Sequence, residues 1–234
     1  MSNEELNSQR DKIIAMLKEK SVMKQDVYKN TLATFDMLKA TIMEISQDLK
    51  DQVHSMDKRI SIDGNYANAY SAQIKVAGDL LEFYMHTNVF QFDRSHPMYK
   101  TSYIKKDEYN SYCGIINVYN FLADSFKYNR ANDLGYLICR IFVNREQKFF
   151  VETKTQLGYK YNTFSTEPIT KEQVREIVQD LILYAITFDL YTPPFEAVRE
   201  VSVNEIQEKM NSINLRIGKR LGYGASASTE EDFS

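Results

Sequence analysis

From about Tyr28 the apolar residues fall in steps of three and four: Phe35, Leu38, Ile42, Ile45, Leu49, Val53, Met56 and Ile60. Such steps keep one stripe on one side of a helix. Their mean lies near the roughly 3.5-residue repeat of a coiled-coil seam. Lys39, Glu44, Asp48, Lys50 and Asp51 occupy the other faces, and neither Pro nor Gly occurs before Gly64. At ~1.5 Å per residue, a helix from Val22 to about Arg59 would run roughly 55–60 Å. That is more than a compact domain of this size needs. The stripe Phe35, Leu38, Ile42, Ile45, Leu49, Val53 and Met56 is therefore expected to be an oligomer seam, forming a homodimer through the N-terminal helix. The competing reading packs it on the chain's own helices, such as 203–217. Upstream, Leu6, Ile13, Ile14 and Leu17 make a second stripe, and Ser2 with Glu5 matches a capping box. Between Lys18 and Asp26 the seam blurs. A break there, with Ser21 capping a second helix, is preferred to a stutter.

Asp63-Gly64-Asn65 reads as a stop. Beyond it the texture changes to strand. Gln73-Ile74-Lys75-Val76 alternates, and Leu81 to Phe92 is rich in aromatic and β-branched residues, which predicts two strands around a turn near Ala77-Gly78-Asp79. Tyr112 to Phe121 has strand composition, with a helix continuing through Leu122 and Phe126 as the alternative. Tyr136–Val143 and Lys148–Thr153, joined by Asn144-Arg145-Glu146-Gln147, form the clearest hairpin.

Helical spacing returns in the last third. Thr170 and Gln173 form a capping box, with Ile169 and Val174 as its hydrophobic staple. That helix is expected to run to about Tyr191 and to stop at Pro193-Pro194. Ser202 and Glu205 repeat the signature ahead of Ile206, Met210, Ile213 and Ile217. The expected fold is α+β: a long, coiled-coil-like amphipathic N-terminal helix, a central antiparallel sheet of about five strands, and two capped C-terminal helices. Helices and strands are segregated, which argues against a doubly wound parallel fold. The organisation reads as a helical segment 1–60, a β region 61–166, C-terminal helices 167–221 and a small, polar, disordered tail 222–234.

Composition narrows function mainly by exclusion. Hydrophobic residues make up 43% and charged residues 26% of 234 residues, which is ordinary for a globular chain with a real core. The net charge is −3, and residues 1–60 balance ten basic against ten acidic side chains, so no concentrated basic footprint for nucleic acid stands out. Of 16 tyrosines, twelve lie between Tyr66 and Tyr161. Cys113 and Cys139 sit in apolar runs, as buried thiols do. No apolar window is long enough for a membrane span, and the polar start has no signal-peptide core. A soluble, cytoplasmic, reduced protein is the expectation.

Candidate chemistry is sparse. Asp124-Ser125-Phe126-Lys127-Tyr128-Asn129-Arg130-Ala131-Asn132-Asp133 is the densest polar cluster. Asp124, Arg130 and Asp133, with Arg140 on the following strand, make a candidate site for a small polar ligand, though Asn and Asp are also simply turn residues. His86 and His96 flank Asp93 without a recognisable metal spacing, and His54 lies beside the helix stripe. No nucleophile elbow, phosphate loop or dinucleotide fingerprint is present. Gly218-Lys219-Arg220-Leu221-Gly222 reads as a helix C-terminus. No cofactor or metal is implied. Tyr84, Phe90, Phe92, Tyr103, Tyr119, Phe149 and Phe150, with Lys105, Lys106, Arg145, Lys148, Lys154 and Lys160, form a weaker case for stacking single-stranded nucleic acid. The leading expectation is a non-enzymatic, self-associating interaction or regulatory protein. A binding or enzymatic domain for a small polar ligand is the alternative.

Overall fold

The computed structural model describes residues 3–131 and 133–187, and beyond them 199–200, 202–204 and 207. The chain divides into two compact units, Met1–Ala123 with Asp133–Phe188, and Asp124–Asn132 with Asp189–Ser234.

The first unit opens with α1 (Asn3–Met16), a π turn (Leu17–Ser21) and α2 (Val22–Met56). The expected break at Ser21 does not occur. Ser21 keeps helical angles (φ −74°, ψ −38°) and its side chain makes no capping bond. With neither Pro nor Gly nearby, the backbone has no reason to leave its own hydrogen bonds, and the blurred seam marks one widened turn instead.

Among the described residues seven strands follow: β1 (Ile62–Asn68), β2 (Ser71–Val76), β3 (Asp79–Met85), β4 (Phe90–Gln91), β5 (Tyr112–Leu122), β6 (Tyr136–Asn144) and β7 (Phe149–Thr153). They form one sheet in the order β1-β2-β3-β5-β6-β7, with β4 also pairing β5, and every pairing is antiparallel. The expected turn at Ala77-Gly78 and the hairpin across Asn144–Gln147 are both present. Ala77 (φ 53°) and Gln147 (φ 58°) take the left-handed conformation that these turns need. Asn144 closes its turn by accepting from the amides of Glu146 and Lys148 at 3.0 and 3.1 Å.

The strand missed by pattern is β1, because Asp63-Gly64-Asn65 does not stop the chain; it pairs with β2, Gly64 opposite Ile74. A Cβ on Gly64 would fall on Ser46 and Ile42 of α2. Gly114 of β5 passes beneath Thr31 in the same way. The two glycines thus mark two places where the helix lies close against the sheet.

This approach settles the helix stripe. Phe35, Leu38, Ile42 and Ile45 are fully buried in one cluster with Ile74, Leu81, Phe83, Ile116, Val118 and Ile141 of the sheet. The expectation that they form an oligomer seam is corrected for these four residues: their partner is the chain's own sheet, whose pleated face accepts a helical stripe as readily as a second helix does. Leu49 is half-buried against the same cluster, Val53 is half-buried, and Met56 is exposed. Threonines complete the buried face. Thr31, Thr34 and Thr41 donate to the carbonyls four residues back, so their hydroxyls are satisfied inside the core.

α6 (Lys171–Ile186) covers the rest of that face, adding Val174, Ile177, Val178 and Leu181 to the core. Its capping box at Thr170 and Gln173 is formed in both directions, and Ile169 and Val174 are both buried. Glu44 of α2 ties the two helices, accepting from Lys171 at 2.5 Å and Arg175 at 2.7 Å. Pro193-Pro194, the box at Ser202 and Glu205, the stripe Ile206–Ile217 and the tail lie outside the described residues.

On the opposite face, α3 (Ser102–Lys106) and the short turns around it close a second, smaller cluster of Met98, Ile104, Cys113, Phe142 and Phe150. In the second unit, the turn of α4 (Ala123–Lys127) ends with Asn129 at φ 51°, while the Arg130 amide donates to the Ser125 carbonyl at 2.8 Å. Among the described residues no helix is long and apolar enough to cross a membrane.

Candidate functional site

Two features of the first unit have the geometry to bind something. The first is the start of the helix. From Asn7 to Glu19 every residue is exposed. Ile13, Met16 and Leu17 are 60%, 52% and 56% accessible, far above what a stripe facing a core would show. They share a shallow groove of about 360 Å³ with Lys12, Lys20, Ser21 and Lys24. Between Asn7 and Lys24 the helix carries five cationic side chains against two carboxylates, in a chain whose net charge is −3. Its root is fixed to the sheet. Met23 and Val27 are buried with Tyr112, and the ammonium groups of Lys20 and Lys24 stand 5.6 and 6.0 Å from that ring's centre. Glu19 accepts from Tyr109, which raises the phenol's pKa. The arm is held firmly at one end while its apolar face is left open.

The second feature is a cleft of about 260 Å³ at the β7 edge of the sheet. Phe150 to Thr153 of β7 supply its floor, and His96, Pro97, Met98 and Thr101 one wall. The third side is Gly158, Asn162 and Thr163, in and just after α5 (Leu157–Lys160). A Cβ on Gly158 would come within 2.5 Å of the Thr153 carbonyl oxygen, so α5 can approach β7 this closely only at glycine. Backbone bonds hold the remainder of the edge: the Val151 amide donates to the Tyr161 carbonyl at 2.8 Å, and the Ser165 amide to the Phe149 carbonyl at 2.8 Å. His96 rests on Phe92, its Nδ1 accepting from the Met98 amide at 3.2 Å. That bond assigns the ring proton to Nε2.

Of the four candidate ligand residues, Arg140 lies beside this cleft. It pairs with Glu152, a floor residue, at 2.5 Å, and its guanidinium sits over the Phe142 ring. Asp133 leads into β6 in the same unit. Asp124 and Arg130 belong to the second unit, where they form part of the α4 turn. Sequence reasoning passed over Thr101, Asn162 and Thr163. No spacing could have found them, since they converge only through the covered edge of β7.

The remaining candidates are engaged locally. His86 Nδ1 accepts from the Asn88 amide at 3.0 Å, the same two-residue turn that His96 makes. Burial pushes both thiols, Cys113 and Cys139, well up and away from nucleophilic form. Among the described residues no group of three or more His, Cys, Asp or Glu side chains is placed to hold a metal ion. Of the aromatics considered for base stacking, Phe149 and Phe150 are buried, and Phe92 packs within the smaller cluster. Arg145, Lys148 and Lys160 are paired with Asp107, Glu146 and Glu176. Comparison with family models, curated proteins and solved structures returns no match.

Proposed function

We propose that the chain is a non-enzymatic interaction protein whose docking element is the exposed helical arm, residues 7–22, and whose partner presents an acidic amphipathic helix. The observation that carries this reading is the change in burial along one continuous helix. The stripe from Val27 to Ile45 is spent on the sheet, while Ile13, Met16 and Leu17 stay open and ringed by lysines. An apolar strip of this kind recognises a second helix by groove packing, and its charged flanks select the partner's sign. The burial of Phe35, Leu38, Ile42 and Ile45 removes the ground for a dimer through the longer seam. Two arms of like net charge also repel each other, which favours a different, acidic partner.

A labelled helical peptide with leucine on one face and glutamate on the others serves as the probe, read by fluorescence anisotropy at low salt. Binding is expected, with at least a tenfold loss for Leu17→Asp and for Lys12→Glu combined with Lys20→Glu, and none for a lysine-flanked peptide. A dimeric mass in light scattering that Leu17→Asp abolishes would replace the acidic partner with a second copy. Binding to phosphatidylserine vesicles in preference to the peptide would replace it with a lipid surface.

A further inference from the structure

The cleft beside β7 supports a separate inference, which does not rest on the arm. We infer that it is a binding site for a small, uncharged, hydroxyl-rich molecule: a polyol or a single sugar ring. Size comes first. At about 260 Å³ the cleft falls just below the roughly 300–1,000 Å³ of pockets for drug-sized ligands.

Charge comes next. The one carboxylate on the floor, Glu152, is already neutralised by Arg140 at 2.5 Å. His96 accepts a backbone amide at Nδ1 and so presents a neutral N–H donor at Nε2. Nothing among the lining residues is left to balance a phosphate or an ammonium, and a charged occupant would lose its hydration without return.

The polar groups that remain are of mixed kind. Thr163 both donates and accepts, Asn162 does each with a different atom, and Glu152 accepts, while the Thr101 hydroxyl is already engaged by the Met98 carbonyl and the Ile104 amide. The backbone adds to this set. The Val151 amide points away from β6 to reach Tyr161, and alternation along an antiparallel ladder sends the Val151 carbonyl and the Thr153 amide to that same side. A hydroxyl is the ligand group that satisfies donors and acceptors alike. Met98 and Phe150 supply an apolar surface for the C–H face of a ring or chain. Preorganisation completes the case. Phe150 is stacked on Phe142 at 4.5 Å and meets Phe164 edge-on at 5.1 Å, so the floor is rigid before anything binds.

The test uses the full chain with ligand-observed saturation-transfer NMR at millimolar methyl glucoside, myo-inositol and glycerol, each set against a charged counterpart: glucose 6-phosphate, glucosamine and glycerol phosphate. At least one neutral compound is expected to receive saturation, and its charged counterpart to receive at least fivefold less. Thr163→Val and Asn162→Ala, which change exposed wall groups and leave the aromatic floor intact, are expected to remove the signal while circular dichroism and the melting temperature stay put. His96→Phe provides a third variant that keeps a ring against Phe92. Saturation of no neutral compound, preference for the charged set, or binding that survives all three variants would each overturn the inference.

Discussion

One helix lives in two environments. Between Val27 and Ile45 its stripe is sealed against the sheet, whereas between Asn7 and Glu19 every residue faces outward. Both stretches carry apolar residues at helical spacing, so the amphipathic pattern reports only that a helix has a greasy side. What that side meets is decided by the partner surface, here a seven-stranded sheet that covers the stripe from Val27 to Ile45 and leaves Asn7 to Glu19 exposed. The buried half holds the fold together, and the open half leaves its apolar residues exposed.

The sharpest way to break this contrast is to truncate one residue from each half. Phe35→Ala empties a fully enclosed site and is expected to cost about 3–5 kcal/mol in urea unfolding. Leu17→Ala, in the exposed groove, is expected to stay within about 0.5 kcal/mol of the parent. Equal losses would mean that the arm packs on something in the folded monomer. A smaller effect probes the contact between helix and sheet. Gly114→Ala puts a methyl group onto Thr31 and is expected to cost about 1–3 kcal/mol. Adding Thr31→Ala removes two of the three nearest atoms and should recover part of the loss, as a double-mutant cycle would read.

Thr170→Ala removes one side of the capping box on α6 and is expected to cost about 1 kcal/mol. The mildest test is Glu44→Gln. Hydrogen bonding to Lys171, with Arg175 beside it, holds the Glu44 carboxyl below its usual pKa. Its stabilising share is therefore present above the ordinary carboxylate range and fades as the pH falls through the folded-state value. The melting temperature of Glu44→Gln should lie slightly below the parent at pH 7 and approach it as the pH falls below the ordinary carboxylate range; a gap independent of pH would show that the ionised bridge contributes nothing.

Local chemistry made much of the fold readable. The hairpin across Asn144–Gln147, the turn after Val76 and the box at Thr170 are each specified by a few adjacent side chains, and each is formed. The readings that failed concern groups distant in sequence. Asp63-Gly64-Asn65 resembles a stop because the reason for Gly64, the flank of α2 at Ser46, lies far back along the chain. A stripe near 3.5 periodicity identified the residues that would be buried but not their partner. The cleft was illegible for the same reason: His96, Glu152 and Asn162 meet only after residues 161–165 fold along the edge of β7. Arg140, chosen from sequence for another purpose, reached its border through a cross-strand pair with Glu152.

The π turn at Leu17–Ser21 has a consequence for the direction the arm faces. Each residue of an α-helix advances about 100° around the axis. A turn that holds one residue more than its neighbours therefore shifts the positions before it by one residue step from the face that unbroken α winding would give them. Ile13 and Leu17 are in this way clocked away from the line that Phe35 and Leu38 follow, and the open stripe is aimed independently of the buried one. Deleting a single residue within 17–21 would let the turn close as regular α-helix and leave the lysine-ringed strip on the side it now occupies, because the π turn already absorbs that residue.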